Sequence, residues 1–290
     1  MKFNLGIFVI YLLWIFGPRQ LNAQMPLFKV EVPDSVLSAI REKNSNIIIS
    51  SLNGKTEVEP YEYSDCESLK EVVISEGIEK IGEYAFLGCT NLKSIYLPSS
   101  LKEIGEGAFR DCVSLETLKI PEGVKTLPAY MCAWDENLTV VSLPQSVDDI
   151  GRNAFSYCYG LKEINLPDGL KHIGPNAFSF CKSLKEVEVP DSMQELESYA
   201  FSGCENLVKA KLPGNPNMLG ELIFTGCINL KEIICMSEEP PTFDCDTPLF
   251  DPLETIIWEQ CRLIVPEEAR YAYAKAKGWE HFFYNRDLSK

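Results

Sequence analysis

Apolar and polar residues alternate in short segments that recur along most of this chain every 23 residues. In one such segment Leu161, Ile164 and Leu166 are apolar, whereas Glu163 and Asn165 between them are polar. Alternation of this kind predicts a strand that turns one face to a core and the other to solvent. Since the same pattern returns at a constant interval, the strands are expected to be equivalent members of a repeat.

The strand pattern is repeated in register. One phase of the period carries Leu69, Leu92, Leu115, Leu138, Leu161, Leu184, Leu207 and Leu230. Another phase carries a proline that should end each strand because it has no N–H to donate: Pro98, Pro121, Pro144, Pro167, Pro190 and Pro213. A fixed period of this length with L-x-x-L-x-L spacing is typical of leucine-rich repeats. We therefore predict a repeat solenoid of about eight rungs, mostly β with short helical or irregular turns, forming a curved rod with a parallel concave sheet and terminal caps.

The segment between successive strands has the form Ile-Gly-x-x-Ala-Phe, and we interpret it as a short return turn on the outer face. In the turn after each strand, small residues alternate between glycine and serine: Gly77, Ser100, Gly123, Ser146, Gly169 and Ser192. This alternation is consistent with duplication of a two-rung unit, although chance would also produce it.

Cysteine occupies a further phase of the period. The column consists of Cys66, Cys89, Cys112, Cys158, Cys181, Cys204 and Cys227, with Asp135 where an eighth cysteine would fall. Buried cysteine acts as a small hydrophobic residue, so we expect a ladder of thiols without disulfides or chemistry. Outside the column lie Cys132, at a phenylalanine position, and Cys235, Cys245 and Cys261. An exported chain permits a bridge among these four, but the sequence does not indicate which pair.

The chain divides into four segments. Residues 1–23 have a positive start, an apolar run and a small-residue cleavage site, which predict a secretory signal peptide. Residues 24–51 are expected to form an N-terminal cap, residues 52–236 the solenoid, and residues 237–290 a C-terminal closing segment. The apolar run is shorter than the ~20 residues of a membrane helix, so no membrane span is predicted in the mature chain.

The repeat resembles the BspA-type leucine-rich repeats of surface proteins from anaerobic bacteria. The resemblance rests on I-G-x-x-A-F-x-x-C-x-x-L-K-x-I-x-L-P, represented here by Ile104-Gly105, Ala108-Phe109, Cys112 and Leu115. It implies secretion, an extracellular or envelope location, and a role in attachment or protein contact. It does not identify a partner.

Charge and motif content exclude several classes of function. The net charge is −15, and loss of residues 1–23 would remove Lys2 and Arg19 and no acid. Such a surface disfavours nucleic acids and anionic membranes, which bind chiefly through lysine and arginine. Two histidines and no hydrolase, zinc-protease or phosphate-loop motif are present. We therefore predict no catalytic residue, no metal ligand and no cofactor.

Two groups of residues are candidates for partner contact. In the middle of the predicted sheet the outward positions carry little charge and include Tyr96, Lys119, Val140, Ser142 and Asn165. The position before the cysteine column is aromatic in three successive rungs and Gly or Asp in the others, and these aromatic residues are Trp134, Tyr157 and Phe180. Gly and Asp indicate an exposed turn, so the rings should form a stacked strip at the rim. Bracing of the irregular Trp134 rung is the alternative explanation.

These features favour a secreted binding or adhesion protein of the bacterial envelope or cell surface, whose partner is an extracellular or envelope protein or a glycan. The alternative is a periplasmic or surface scaffold for other envelope components. The sequence leaves the ligand and the oligomeric state open.

Overall fold

Parallel pairing between segments one repeat apart builds the chain into a β-solenoid of about eight turns with little helix, which confirms the predicted fold. The computed structural model describes residues 46–49, 54–214, 218–243, 249–251 and 255–283. The predicted signal peptide, most of the predicted N-terminal cap and Cys245 lie outside these residues.

Each rung contributes one strand to each of two parallel sheets. Sheet one contains β1 (Asn46–Ile49), β3 (Glu71–Ile74), β5 (Ser94–Tyr96), β7 (Thr117–Lys119), β9 (Val140–Ser142), β11 (Glu163–Ile164), β13 (Glu186–Glu188), β15 (Lys209–Leu212), β17 (Glu232–Cys235) and β18 (Arg262–Ile264). Sheet two contains β2 (Glu57–Val58), β4 (Lys80–Ile81), β6 (Glu103–Ile104), β8 (Thr126–Leu127), β10 (Asp149–Ile150), β12 (His172–Ile173), β14 (Glu195–Leu196) and β16 (Met218–Leu219). Hydrogen bonding is interrupted between β11 and β13 in sheet one and between β6 and β8 in sheet two.

Sheet two corrects the prediction that the return segment is only a turn. The Ile of Ile-Gly ends a two-residue strand, and His172–Ile173 pairs in register with Asp149–Ile150 and Glu195–Leu196. The glycine that follows permits close packing of rungs, since a Cβ on Gly174 would lie 2.8 Å from the backbone N of Arg152. Strands of two residues are too short to produce visible alternation, which explains why the sequence pattern did not reveal them.

The core consists of columns of equivalent side chains. Phe155, Phe178 and Phe201 stack at centroid distances of 5.3 Å, with their ring planes within 11° of parallel. Thiols of the cysteine column donate hydrogen bonds to backbone carbonyls of the preceding rung, as Cys181 Sγ does to Phe155 O at 3.2 Å. Six of the seven cysteines are buried, and Cys66 at the first rung is half-buried. The small, weakly polar thiol thus fills the space between a phenylalanine and the next strand.

One rung departs from these columns. Cys132 replaces the phenylalanine and Met131 replaces the preceding alanine, and both side chains are fully buried. The larger methionine therefore compensates for part of the volume lost at Cys132. Asp135 replaces the column cysteine and is also fully buried.

The Asp135 carboxyl has an unusual environment. Its Oδ1 accepts a hydrogen bond of 2.8 Å from the backbone N–H of Cys112, while Oδ2 is buried without a partner among the described residues. Burial raises the pKa of Asp135 well above its usual range, although the hydrogen bond from Cys112 lowers it. The folded protein therefore favours the protonated form of this carboxyl more than the unfolded chain does.

The Gly/Ser alternation in the turns has a physical basis. Ser100 Oγ accepts a hydrogen bond from Gly77 N at 2.9 Å and donates one to Ile78 O at 2.8 Å. Ser146 Oγ makes the same pair of contacts one two-rung unit later, with Gly123 N at 3.3 Å and Val124 O at 2.8 Å. Each serine therefore fastens the glycine-containing turn of the rung before it. We call this contact the serine clasp.

The C-terminal segment covers the last rungs. It contains α1 (Thr255–Gln260), a 3-10 turn over Glu267–Ala269, α2 (Arg270–Tyr273) and a 3-10 turn over Glu280–Phe283. Trp279 is buried and donates its indole N–H to Pro241 O at 2.8 Å.

Two of the cysteines outside the column are also defined. Cys132 and Cys235 are thiols in the structure, and Cys235 Sγ lies 3.2 Å from the Tyr273 hydroxyl. Among the described residues, the helices are too short and too polar to cross a bilayer.

Replacing a clasp serine should destabilise the solenoid. Ser100→Ala and Ser146→Ala each remove two hydrogen bonds to the backbone, which predicts a loss of about 1–2 kcal/mol in unfolding free energy per substitution. Urea unfolding followed by circular dichroism measures the effect. Ser142→Ala, at an exposed strand position, is the matched control. Equal midpoints for the clasp variants and the control would contradict the role of the clasp.

Replacing Asp135 should change how stability depends on pH. The unfolded aspartate ionises near pH 3.9, whereas the folded one stays protonated to higher pH. Folding of the wild type therefore becomes less favourable as pH rises from about 4 through the folded pKa. Asp135→Asn does not ionise, so its urea midpoint should exceed that of the wild type by a margin that grows over this range.

The exposed Asp168→Asn, which removes a carboxyl from the surface and not from the core, is the control for that experiment. A pH-independent difference between Asp135→Asn and the wild type would show that the Asp135 carboxyl titrates in the same way in both states.

Candidate functional site

The central face of sheet one brings together the first group of candidate residues. Tyr96 is 47 % exposed and Val140 is 40 % exposed, both large values for apolar side chains. Lys119 lies opposite Ser142 in the register of β7 and β9, and both are exposed. Asn165, immediately after β11, is also exposed. Because Leu118, Val141 and their equivalents point into the core, these outward residues form one continuous surface.

The C-terminal part of sheet one has a different character. The register of β13 and β15 places Glu186 beside Lys209 and Glu188 beside Lys211. Opposite charges on adjacent strands offset one another, although exposed pairs contribute little to stability. The central face carries fewer charges than the C-terminal part of the sheet. A partner that binds there therefore has to displace water from fewer charged groups.

The three aromatic residues of the second group form a stacked row. The Trp134 and Tyr157 ring centroids are 5.2 Å apart with an interplanar angle of 5°, and those of Tyr157 and Phe180 are 4.8 Å apart at 10°. Tyr159 meets Tyr157 edge to face at 6.2 Å. We call Trp134, Tyr157 and Phe180 the aromatic strip. It lies in the turns that lead into β9, β11 and β13, so it borders the rungs that form the central face.

Every residue in the column of the aromatic strip has a left-handed backbone. The φ angles of Trp134, Tyr157 and Phe180 are +66°, +62° and +59°. The other rungs place residues that tolerate this conformation in the same column: Asp65, Gly88, Asp111, Gly203 and Gly226, all with positive φ. The exposed turn inferred from Gly and Asp is therefore present, and the three aromatics occupy it at a conformational cost.

That cost is comparable to what the rings gain from one another. A left-handed conformation costs roughly 1–2 kcal/mol for each residue other than glycine. Two ring pairs at about 0.5–1.5 kcal/mol each offset much of the sum. Once the backbone cost and the ring pairs are set against each other, partial burial of the rings is the remaining contribution that stabilises the fold. Partial burial of the rings stabilises the irregular rung, so this balance is compatible with bracing as well as with partner contact.

Sequence reasoning missed Arg110. Its guanidinium lies 4.6 Å from the Trp134 ring centroid and 5.8 Å from that of Tyr130, and its Nε is 3.2 Å from Asp111 Oδ2. Arginine over an aromatic face is a favourable cation–π arrangement. The pattern of one rung gives no indication of this contact, because it depends on the side chain of the next rung.

A second left-handed column, four residues before the first, was also missed. It consists of Tyr61, Tyr84, Gly107, Tyr130, Asn153, Asn176, Tyr199 and Leu222. Tyr61 and Tyr84 stack at 5.2 Å, and Tyr84 donates a hydrogen bond of 2.6 Å to Glu106. That hydrogen bond, with smaller contributions from burial and the Glu106 charge, raises the pKa of Tyr84 to about 12. Recurrence of tyrosine at the repeat interval was the signal available in the sequence.

The outer face of sheet two carries ion pairs between adjacent rungs. Lys102 Nζ lies 2.9 Å from Glu79, Lys80 Nζ lies 3.6 Å from Glu103, and Lys171 Nζ lies 3.8 Å from Asp148. The charged side chains on this face are thus largely paired with opposite charges in the neighbouring rung. The centre of sheet one, in contrast, carries few charges.

His172 belongs to the same face and joins two carboxylates. Nδ1 lies 2.6 Å from Asp149 Oδ1, and Nε2 lies 2.6 Å from Glu197 Oε1. Partial burial lowers the pKa of His172, but the two hydrogen bonds and the two negative charges outweigh it, so the pKa is raised overall. A protonated imidazole can donate to both carboxylates at once. The arrangement is that of a structural bridge between three rungs.

Within the part of the chain that the structure describes, no three or more His, Cys, Asp or Glu side chains are grouped so that they could hold a metal ion. The buried thiols are unsuited to nucleophilic chemistry as well. Burial raises the pKa of Cys112, Cys132, Cys158 and Cys181 well above the usual value, so these cysteines stay uncharged.

A stack of rungs with two parallel sheets and leucine, phenylalanine and cysteine columns defines a leucine-rich-repeat protein. A family model for the BspA-type leucine-rich repeat region matches residues 56–165 and 126–240, with six copies of the repeat. The chain belongs to the BspA-type leucine-rich-repeat family. This is a family of surface repeat proteins that are not known as enzymes, and membership is consistent with a general role in protein interaction or adhesion.

Solved structures of bacterial leucine-rich-repeat proteins resemble the chain. A leucine-rich-repeat protein of T. pallidum is 31 % identical over 64 % of this chain and 78 % of its own, with a TM-score of 0.49. A leucine-rich cell surface protein of Faecalibacterium prausnitzii is 26 % identical over 77 % of this chain and 73 % of its own, with a TM-score of 0.48. No curated protein matches the chain.

Proposed function

We propose that this protein is exported to the bacterial envelope or cell surface, where it binds another macromolecule through the centre of sheet one and the adjoining aromatic strip. The observation that carries the proposal is the central face itself. It exposes Tyr96 and Val140 on a rigid sheet within a chain whose net charge is −15.

The energetics of recognition support this choice of surface. Binding energy is concentrated in a few residues, among which tyrosine is enriched, and these residues work best where little charge must be desolvated. Lys119, Ser142 and Asn165 occupy the position of Tyr96 in the three rungs that follow, and they can supply hydrogen bonds along the face. By contrast, the ion pairs on sheet two would have to be broken or covered for that face to bind.

Location is part of the proposal. The signal-like residues 1–23 and the family of surface proteins both support export. A scaffold that holds other envelope components would need the same export and the same face, so it differs from an adhesin only in where the mature chain resides and what it binds.

Substitution of the central face should abolish binding without unfolding the rod. We expect Tyr96→Ala with Val140→Glu to weaken binding of the mature chain to arrayed extracellular and envelope proteins by at least about tenfold, which corresponds to ~1.4 kcal/mol. The matched control is Tyr271→Ala with Val208→Glu, which changes a tyrosine and a valine that are 67 % and 39 % exposed elsewhere. Equal affinities for the two variants would refute the central face as the binding surface.

The location can be tested separately in the native organism. We expect the mature chain to begin at Gln24, as read by mass spectrometry, and to be cleaved when intact cells are treated with a protease. Protection in intact cells and cleavage after outer-membrane permeabilisation would instead indicate a periplasmic scaffold. A chain that retains residues 1–23 in the cytosolic fraction would contradict export altogether.

A further inference from the structure

The proposed function leaves the partner as a protein or a glycan, and the geometry of the aromatic strip distinguishes the two. Resting on that proposal, we infer that the strip contacts protein through the edges of its rings and does not bind sugars by stacking. The inference depends on which parts of Trp134, Tyr157 and Phe180 are open to a partner.

Faces inside the strip are covered by the neighbouring rings. Tyr157 is stacked on both sides, with Trp134 at 5.2 Å and Phe180 at 4.8 Å, and both interplanar angles are 10° or less. Rings at these distances and angles leave no space for a pyranose between them. The interior of the strip therefore offers only ring edges and the Tyr157 hydroxyl.

Both ends of the strip are covered too. At one end the Arg110 guanidinium lies 4.6 Å from the Trp134 centroid and is held there by Asp111 at 3.2 Å. At the other end Phe180 lies against the backbone of Gly203, where an added Cβ would be 2.7 Å from the Phe180 ring. From Arg110 to Gly203 each ring therefore has a neighbour on both sides, but the cover at the outer side of Phe180 is glycine backbone alone, and Phe180 is 36 % exposed.

Ring edges and ring faces select different partners. The face of an aromatic ring is electron-rich and the edge is electron-poor. Sugars that stack on aromatic side chains place their C–H groups on the electron-rich face, which this strip conceals. An electron-poor edge is instead suited to oxygen atoms and to aliphatic side chains. Sugar hydroxyls also offer oxygen atoms to a ring edge, but a sugar has no apolar side chains to lie against the rings. A polypeptide presents both carbonyl oxygens and apolar side chains, so it fits an edge-lined strip better than a sugar does.

Charges beside the strip are already paired. Arg110 contacts Asp111, and Lys182 lies 2.8 Å from Glu205 while its ammonium is 5.3 Å from the Tyr159 ring. A partner therefore does not need to bring a charge of either sign to this edge. This favours an uncharged, partly apolar polypeptide segment, and it continues the low charge of the central face of sheet one.

The test uses a variant that should keep the fold. Trp134→Gly, Tyr157→Gly and Phe180→Gly are combined, because glycine adopts the same positive φ in this column at Gly88, Gly203 and Gly226. The matched control combines Tyr61→Gly and Tyr84→Gly, which removes a stacked aromatic pair from the other left-handed column. Urea midpoints of both variants are measured first, so that loss of binding is compared between folded proteins.

Two probes are applied to the mature chain: a random dodecapeptide phage library and an array of mono- and oligosaccharides. We expect peptides selected on the wild type to bind the triple variant at least about tenfold more weakly and the control variant unchanged. We also expect that any sugar bound by the wild type is bound equally well by the triple variant.

Two results would overturn the inference, and they differ in consequence. Sugar binding that is lost in the triple variant would make the strip a glycan site, which contradicts edge recognition of protein but leaves the proposed binding function intact. Unchanged peptide and sugar binding in the triple variant would show that the strip is not a contact surface. The proposed function would then depend on Tyr96 and Val140 alone, and its own variants test it independently.

Discussion

In-register parallel pairing between rungs is the interaction on which the rest of this structure depends. The strands are only two to four residues long, so neither sheet could persist within one rung. Because Asp149–Ile150, His172–Ile173 and Glu195–Leu196 pair position for position, each side chain lies beside its equivalents in the rungs before and after. Columns of like residues, rather than a mixed core, are the direct result. Their contacts supply the stability that an isolated rung lacks.

The columns also explain how the rod tolerates an irregular rung. Cys132 and Asp135 stand where other rungs have phenylalanine and cysteine, which interrupts two columns at once. Met131 remains buried beside them, and β7 still pairs with β9 and β8 with β10, although β8 does not pair with β6. Part of the cost lies in the Asp135 carboxyl, whose pKa burial raises. Trp134 adjoins Asp135 in sequence, so the aromatic strip begins at the rung with the least regular core.

Repetition further determines which surface is available for recognition. On sheet two, adjacent rungs carry opposite charges that pair with one another, as in Glu79 with Lys102 and Asp149 with His172. In the centre of sheet one, among the residues that the structure describes, no ion pair forms, because the charged Lys119 and Glu163 lie opposite the uncharged Ser142 and Val140. The rod thus has one face that is internally satisfied and one that remains available to a partner.

The sequence by itself determined the solenoid, the columns to which Leu161, Phe178 and Cys181 belong, and the outward direction of Tyr96 and Val140. All of these follow from the constant interval between equivalent residues, which is a one-dimensional property. Only the tertiary structure decided the second sheet, the serine clasp and the covering of the Trp134 face by Arg110. A two-residue strand has no visible periodicity, and hydrogen bonds and ring orientations between rungs depend on side-chain directions that a repeat pattern does not encode.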